Sequence, residues 1–558
     1  MKKKLLLGFS AFLLSATASQ AQQFGFARLY DIMQTKCVSC HSNATPQSGL
    51  DLEGSGGNIT AKRQAVYNNL VNITPANVSA AAKGYKYIRK GYPEKSFLFR
   101  KIAHSGFENG EYTLDQPAEG AQMPNAQSAL SNVEVELFRQ WIYFGAPLTA
   151  NVANESYINT YYSGLAVPAI PPPAAPAPGT GFQLKLGKIF LAPGEEFEYY
   201  IKRELELPDT VEVTRMDLKM NYYSHHFIVF KYDPGQENSF SDGLRVVNNS
   251  NVFPDQTRYL MAWTNPGDIS LPAGTAYTFP QNTVIDLNYH INNYNTDSIL
   301  GAEMYLNIYY QPKGTAQKEM FSDIIIYPPT SLIIPATNTE LTYTHADFEN
   351  GSNLVYNLWS IKSHTHKYGS DFDVYLRNSD GSKGQQVYEG FIDEESGVNL
   401  GYYNWSHPPT IYYEPLLPFP IKDGLIQEAK FRNCCTQPFV TFGLTTEDEM
   451  MLYYMQYTVD VATGTNEVTK DLPMFEAYPN PFNDATNLRF YLDKSTAVSV
   501  EVYDNMGRKV FAQNMGYRSQ GLNTITLDAA SANMSNGNYL IRLTAGNKVA
   551  SKQIMKVN

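Results

Sequence analysis

Five consecutive residues near the N-terminus carry the most specific chemistry in this chain. Cys37-Val38-Ser39-Cys40-His41 is a C-x-x-C-H run. Two thiols at this spacing can form thioether bonds to haem vinyl groups, and the next residue offers an imidazole to the iron. A redox dithiol and a zinc site are the alternatives. A redox dithiol calls for a βαβ context, which the flanking sequence lacks. Zinc calls for two more ligands nearby, and His104 supplies only one. The motif therefore predicts one covalently bound haem c. The sixth ligand is expected downstream. Met123, in Gly120-Ala121-Gln122-Met123-Pro124, offers a thioether on a loop, and His104 is its rival.

A second set of ligand-type residues lies far from the first. Of the nine histidines, five form a suggestive arrangement in the middle of the chain. His225 and His226 are adjacent, His290 follows in Leu287-Asn288-Tyr289-His290, and His364 and His366 flank Thr365. On a strand, residues i and i+2 share a face, so H-x-H delivers two imidazoles to one point. The adjacent pair can do so only at a bulge or a twisted strand end. Imidazole suits copper, zinc, iron and nickel alike. Any one of these histidines read singly is a surface or satisfied strand residue. The set gains weight from one sulfur in the run Thr445-Thr446-Glu447-Asp448-Glu449-Met450-Met451-Leu452-Tyr453-Tyr454-Met455. A thioether in place of one imidazole softens a site and favours Cu(I). Met455 reads as core, because methionine fills gaps more often than it binds metal.

The elements that must hold these residues belong to a chain of 558 residues, 43% hydrophobic and 17% charged. That excludes a disordered protein and predicts three to four domains at about 150 residues each. A net charge of -11 with no basic tract argues against nucleic acid as a partner. Tyr 40 and Phe 29, with Gly and Pro spread throughout, favour strands and turns.

Lys2 to Lys4, the apolar run Leu5 to Leu14 and the small residues up to Ala21 read as a signal peptide over 1–21. Its removal takes the charge to about -14. The chain is expected to be exported through the periplasm to the outer surface or beyond, with no membrane span in its mature form. Four cysteines do not make a disulfide scaffold. Cys434-Cys435 stays open between a vicinal disulfide, two thiols and a soft metal site.

Residues 22–150 read as helical, with apolar residues at helical spacing from Val133 to Phe144. Within 151–181, the Pro/Ala/Gly run Val167 to Gly181 predicts a semi-rigid spacer. From 182 to 466 short alternating runs such as Phe372-Val374-Leu376 predict antiparallel sandwiches, enough for two units, 182–325 and 326–466. The block 472–558 alternates again, at Val498, Val500 and Val502 and at Tyr539, Ile541 and Leu543, and suits one small sandwich. The fold class expected is multidomain and mainly β, with a helical N-terminal domain.

Three resemblances sharpen these expectations. Residues 24–150 resemble the cytochrome c family, through the CxxCH, the later Met123-Pro124 and a closing helix with Trp141-Ile142. Over 182–466, the order His-His, His, His-Thr-His and Glu-Met resembles the copper type II, ascorbate-dependent monooxygenases. Peptidylglycine α-hydroxylating and dopamine β-monooxygenases belong to that family. It implies two jelly-roll domains and two copper ions. His225, His226 and His290 match its electron-transfer copper. His364, His366 and Met450 match the copper where oxygen is activated. Tyr454 falls on the same strand face as Met450, where peptide-amidating members have a Tyr, and its other reading is a core aromatic.

Where the peptide-amidating members have an Arg that holds the substrate carboxylate, two residues before the first His of the H-x-H, this chain has Lys362, which attracts an anion but lacks the bidentate fork. That argues against peptide amidation. Tyr478-Pro479-Asn480-Pro481-Phe482-Asn483, Val502-Tyr503-Asp504-Asn505-Met506-Gly507 and Gly537-Asn538-Tyr539 resemble the type IX secretion (Por) sorting domain of Bacteroidota. That implies an immunoglobulin-like sandwich and the type IX secretion machinery as a partner.

Together these readings predict a secreted monooxygenase that hydroxylates an organic C–H bond with O2. Its substrate is a small or peptide-like molecule. Electrons are expected to pass from an external reductant, ascorbate in the family, through the haem. The alternative is a non-catalytic haem and copper electron-transfer or copper-binding surface protein, and a third reading is an adhesin.

Overall fold

The computed structural model describes residues 23–557, apart from 126, 222–223, 249–255, 338, 349–353, 394–396, 422, 435–436, 462–474, 505–507, 533 and 547. The side chains of His225 and Val461 also fall outside the described residues, as do the expected signal peptide at 1–21 and Cys435. The chain is 46% strand and 13% helix, a mainly β protein of several domains.

The N-terminal domain is helical. Its best-formed helix, Asn132–Tyr143, starts with a capping box: the Ser131 side chain accepts from Glu134 N, and Glu134 accepts from Ser131 N at 2.8 Å. The helix sends Leu137, Phe138, Trp141 and Ile142 into a core shared with Leu29, Ile32 and Met33 of helix Phe26–Lys36. This domain continues past residue 150, where the sequence placed its end. Ala153–Asn154 pairs with Gln23–Phe24, and helix Glu155–Tyr162 packs against the domain, with the Tyr162 hydroxyl donating to Glu136 at 2.8 Å. Tyr162 ends the last helix of this domain among the described residues.

The Pro-rich run is not a free spacer. Val167 N donates to Ile299 O at 2.9 Å, Asn307 Nδ2 to Ala174 O at 2.9 Å and Gln183 Nε2 to Pro173 O at 3.1 Å. Proline removes N–H donors but leaves carbonyls, and polar side chains of the neighbouring sheet take them up.

Two sandwiches follow. In the first, one sheet has the spatial order Leu244–Val246, Glu196–Glu204, Val284–Asn292, Ser224–Tyr232 and Thr257–Trp263. It closes a core against a sheet containing Gly181–Leu191, Leu300–Pro312 and Val211–Met220. In the second, Phe321–Ile326, Leu452–Val461, Leu354–His364 and Thr410–Pro420 face a sheet of Leu341–Asp347, Leu425–Phe431, Gly369–Arg377 and Lys383–Glu389. A last sandwich spans Phe475–Tyr478 to Lys548–Lys556.

The helical domain is docked on the first sandwich through buried charge. Arg139, fully buried, bridges Glu136 and Glu108, and Glu108 also takes Lys185 at 3.0 Å and Lys188 at 2.7 Å. Burial alone would raise the Glu108 carboxyl, but Arg139, Lys188 and Lys185 hold it well below the usual carboxylate range. Gly91 lets the two domains approach: its φ is +76°, and a Cβ there would lie 2.5 Å from Gly243 N.

Candidate metal centre

Strand alternation decides what each strand shows to its own core and what it shows to the neighbouring sandwich. On Ser224–Tyr232, Phe227 and Val229 enter the first core, while Ile228 and Phe230 turn outward. On Leu452–Val461, Tyr453, Met455 and Tyr457 enter the second core, while Leu452 and Tyr454 turn outward. The two outward faces pack on each other. Tyr200, Ile228, Phe230 and Tyr259 of one sandwich meet Met450, Leu452 and Tyr454 of the other in a shared apolar cluster. Gln456 stitches the seam by donating to Leu260 O at 3.0 Å and to the Tyr277 hydroxyl at 2.8 Å.

Beside this seam lies a small cleft lined by Glu198, His226, His290, His364, His366, Met450 and Tyr454 among others. The sequence placed two triads at two separate points. The structure brings His226, His290, His364, His366 and Met450 to one cleft, because the strands that carry them face each other across the seam. The His226 and His290 ring centroids are 4.8 Å apart, those of His364 and His366 5.2 Å, and those of His226 and His364 6.2 Å. His225 occupies a bulge: His290 pairs with His226 and Ile291 with Ser224, so the register skips it. Its side chain is outside the described residues. Met451 goes into the second core, which leaves Met450 as the sulfur facing the cleft.

The imidazoles are held by their surroundings. His290 Nε2 lies 2.6 Å from Glu196 Oε1 and donates to that carboxylate. Burial opposes protonation of His290, but the Glu198 charge and the Glu196 hydrogen bond outweigh it and raise its pKa. His366 is the opposite case. Burial, reinforced by His290, lowers it to about 4, so its ring is neutral near pH 7. Its Nδ1 is buried with no hydrogen-bond partner among the described residues. Glu449, fully buried, accepts from His366 N, and its carboxyl is pushed well up by burial, against backbone donors at His366 and Met450. It thereby ties the H-x-H turn to the Met450 segment.

Tyr454 forms a wall beside Tyr259, with ring centroids 5.0 Å apart. Lys362 faces an adjoining recess lined by Trp263, Thr264, Pro408 and Tyr454, where its Nζ donates to Thr264 Oγ1 at 3.0 Å. Sequence reasoning missed Glu196, Glu198 and Glu449. The first two alternate with core residues along Glu196–Glu204, and only pairing with Val284–Asn292 reveals them as neighbours of His290.

In the helical domain, Cys37 and Cys40 are free thiols on one turn, with His41 N donating to Cys37 O at 3.0 Å. Burial, with a smaller push from Cys40, raises the Cys37 thiol to about 11. His41 Nδ1 is 3.1 Å from Leu50 O, so Nδ1 bears the proton and Nε2 is left for a metal. This arrangement fits a haem iron. Met123 sits on a loop pinned to the end of helix Phe97–Ile102, with its N donating to Lys101 O at 2.7 Å. The loop returns over the motif, where Gln127 Nε2 donates to Ser39 Oγ at 3.0 Å. His104 Nδ1 accepts from Gly106 N at 3.1 Å.

The C-terminal sandwich carries a different signal. Residues 476–557 match the family described as "Secretion system C-terminal sorting domain". The last domain is a type IX secretion sorting domain. The sorting domain marks the chain for export and for attachment at, or release from, the outer cell surface. It rests on both sandwiches: Arg489 of the sorting domain pairs with Asp323 at 2.8 Å, and Arg258 donates to its Thr524. No helix among the described residues is long and apolar enough to cross a membrane.

No curated protein matches the chain. Among solved structures, a β-glucuronidase of Parabacteroides merdae with glycerol in its active site is 10% identical over 40% of this chain and 30% of that one, with a TM-score of 0.14. The β-glucuronidase of Lactobacillus rhamnosus is 10% identical over 61% of this chain and 45% of its own, with a TM-score of 0.12. The chain spans less than half the length of these enzymes. At this level the likeness carries no inference about fold or activity.

Proposed function

We propose that this chain is an exported copper-dependent monooxygenase that hydroxylates an organic C–H bond, with electrons entering through a covalently haem-bearing, cytochrome c-like domain. In this reading the two central sandwiches are jelly-roll copper domains, and the sorting domain is an immunoglobulin-like sandwich. One observation carries it: five ligand-type side chains, spread from residue 226 to residue 450, line one cleft between two sandwiches. The reaction balances as R–H + O2 + two electrons + two protons giving R–OH and water.

Copper in the cleft and haem on Cys37 and Cys40 supply the one-electron and dioxygen chemistry. The chain's own residues prepare the site. His366 is neutral near pH 7 and so available as a donor. Glu449 fixes the turn that presents it. Met450 adds the soft donor that favours the reduced ion. Lys362 offers a cation to an anionic group of the substrate, beside apolar walls from Trp263 and Tyr454.

The test is oxygen uptake by the copper-loaded, haem-bearing protein with ascorbate or another one-electron reductant, over a panel of anionic aromatic and peptide-like compounds. Labelled oxygen is followed into product by mass spectrometry. Incorporation lost in His366→Ala and Met450→Ala supports the reading. Copper binding and haem oxidation without any labelled product would leave an electron-transfer protein instead.

A further inference from the structure

We propose that Glu198 is a ligand of the metal held by His226 and His290, which adds a carboxylate to the donors of that half of the cleft. The inference rests on the reading that the cleft binds metal. Three adjacent antiparallel strands place these side chains in a row. His290 is the register partner of Glu198 on one side and of His226 on the other. All three line the same cleft.

The distances suit a shared ion. His226 Nε2 and His290 Nδ1 are 3.2 Å apart. Bonds of about 2.05 Å to both would meet at about 100°, close to the tetrahedral angle. Glu198 closes the third side, with Oε1 3.8 Å from His226 Nε2 and Oε2 3.8 Å from His290 Nδ1. One ligand atom from each residue falls within 4.8 Å of the others. At 3.8 Å the carboxylate is too far to hydrogen-bond either ring. It is at the spacing of two donors on one ion.

The carboxylate is also aimed. Buried Asn288 donates to Glu198 Oε1 at 2.9 Å, and Glu196 holds His290 from behind at 2.6 Å. These contacts orient the donors as outer partners do in metal sites. A charged oxygen donor favours the oxidised copper ion, whereas the Met450 thioether opposite favours the reduced one. The two halves of one cleft therefore differ in softness.

The test is Cu(II) titration of the full-length, haem-bearing protein freed of copper, read by calorimetry and by electron paramagnetic resonance. The wild type is expected to take up two ions. Glu198→Gln keeps the size of the side chain and removes its charge. It is expected to weaken one of the two ions by at least about ten-fold and to change the spectrum, leaving the affinity of the other ion as it was. An unchanged affinity and spectrum in Glu198→Gln would overturn the assignment while leaving the metal reading intact. A wild type that takes up no Cu(II) would end the metal reading itself. Should Glu198→Gln fail to fold, Glu198→Asp, whose shorter arm withdraws both oxygens, is put through the same titration and decided by the same outcomes.

Discussion

His226 and His364 belong to different sandwiches, yet their rings stand 6.2 Å apart and nearly perpendicular, at 86°. Metal ions held by such neighbours must feel each other. Fully Cu(II)-loaded protein is therefore expected to show dipolar broadening and a half-field transition in its paramagnetic resonance spectrum. His226→Ala should abolish that coupling and leave the signal of a single ion. Two independent, unbroadened ions in the wild type would contradict the shared cleft.

Gln456 is a buried polar link across the seam, satisfied by Leu260 O, the Tyr277 hydroxyl and the Ser360 hydroxyl at 2.6 Å. Gln456→Leu removes these three bonds; Leu260 O and the Tyr277 hydroxyl keep their own bond at 2.8 Å, while the buried Ser360 hydroxyl loses its acceptor. The expected cost is about 1–3 kcal/mol. Calorimetric unfolding checks it, and the two sandwiches should unfold less cooperatively in the variant.

The Glu108 cluster makes docking of the helical domain sensitive to acid. The folded carboxyl ionises more readily than its unfolded counterpart, whose pKa is about 4.3. Its stabilisation is thus fully present above that value and is lost as pH falls toward the lowered folded value. Melting temperature measured against pH should fall more steeply below about pH 4.3 in the wild type than in Glu108→Gln. Arg139→Met leaves Glu136 and Glu108 buried without their shared cation, and is expected to cost about 3–5 kcal/mol at neutral pH.

Cys37→Ala with Cys40→Ala should leave no haem on the denatured chain, as judged by haem staining after electrophoresis. The sixth ligand separates by potential. If Met123 ligates, Met123→Ala lowers the midpoint potential, because the thioether raises it, and His104→Ala leaves it unchanged. The reverse pattern assigns His104.

Removal of 472–558 should strand the protein inside the outer membrane. Cell fractionation, with the full chain as reference, checks this directly. Secretion of the truncated chain at the normal level would show that another segment carries the address.

The helical start, the change to a strand-rich texture at 182 and the sorting sequence at the C-terminus were legible because each is written in nearby residues. So was the CxxCH turn, whose thiols and imidazole lie within five positions. The H-x-H pair was expected on one strand face, but the strand Leu354–His364 ends at His364, and His366 reaches the cleft from the turn beyond it. The separation of the two triads was misjudged, because a face says nothing about what covers it.

What only the tertiary structure decided is lateral. Pairing register set Glu198 beside His290 and His226 although these residues are scattered along the chain. A bulge displaced His225 from that row, and sandwich packing turned two histidine groups toward a single cleft. Polar contacts from Asn307 and Gln183 converted a proline-rich stretch from a spacer into a strap. Local sequence governs backbone period and turn chemistry, whereas register and packing arise from contacts between distant segments. No single stretch of the chain contains both partners of such a contact.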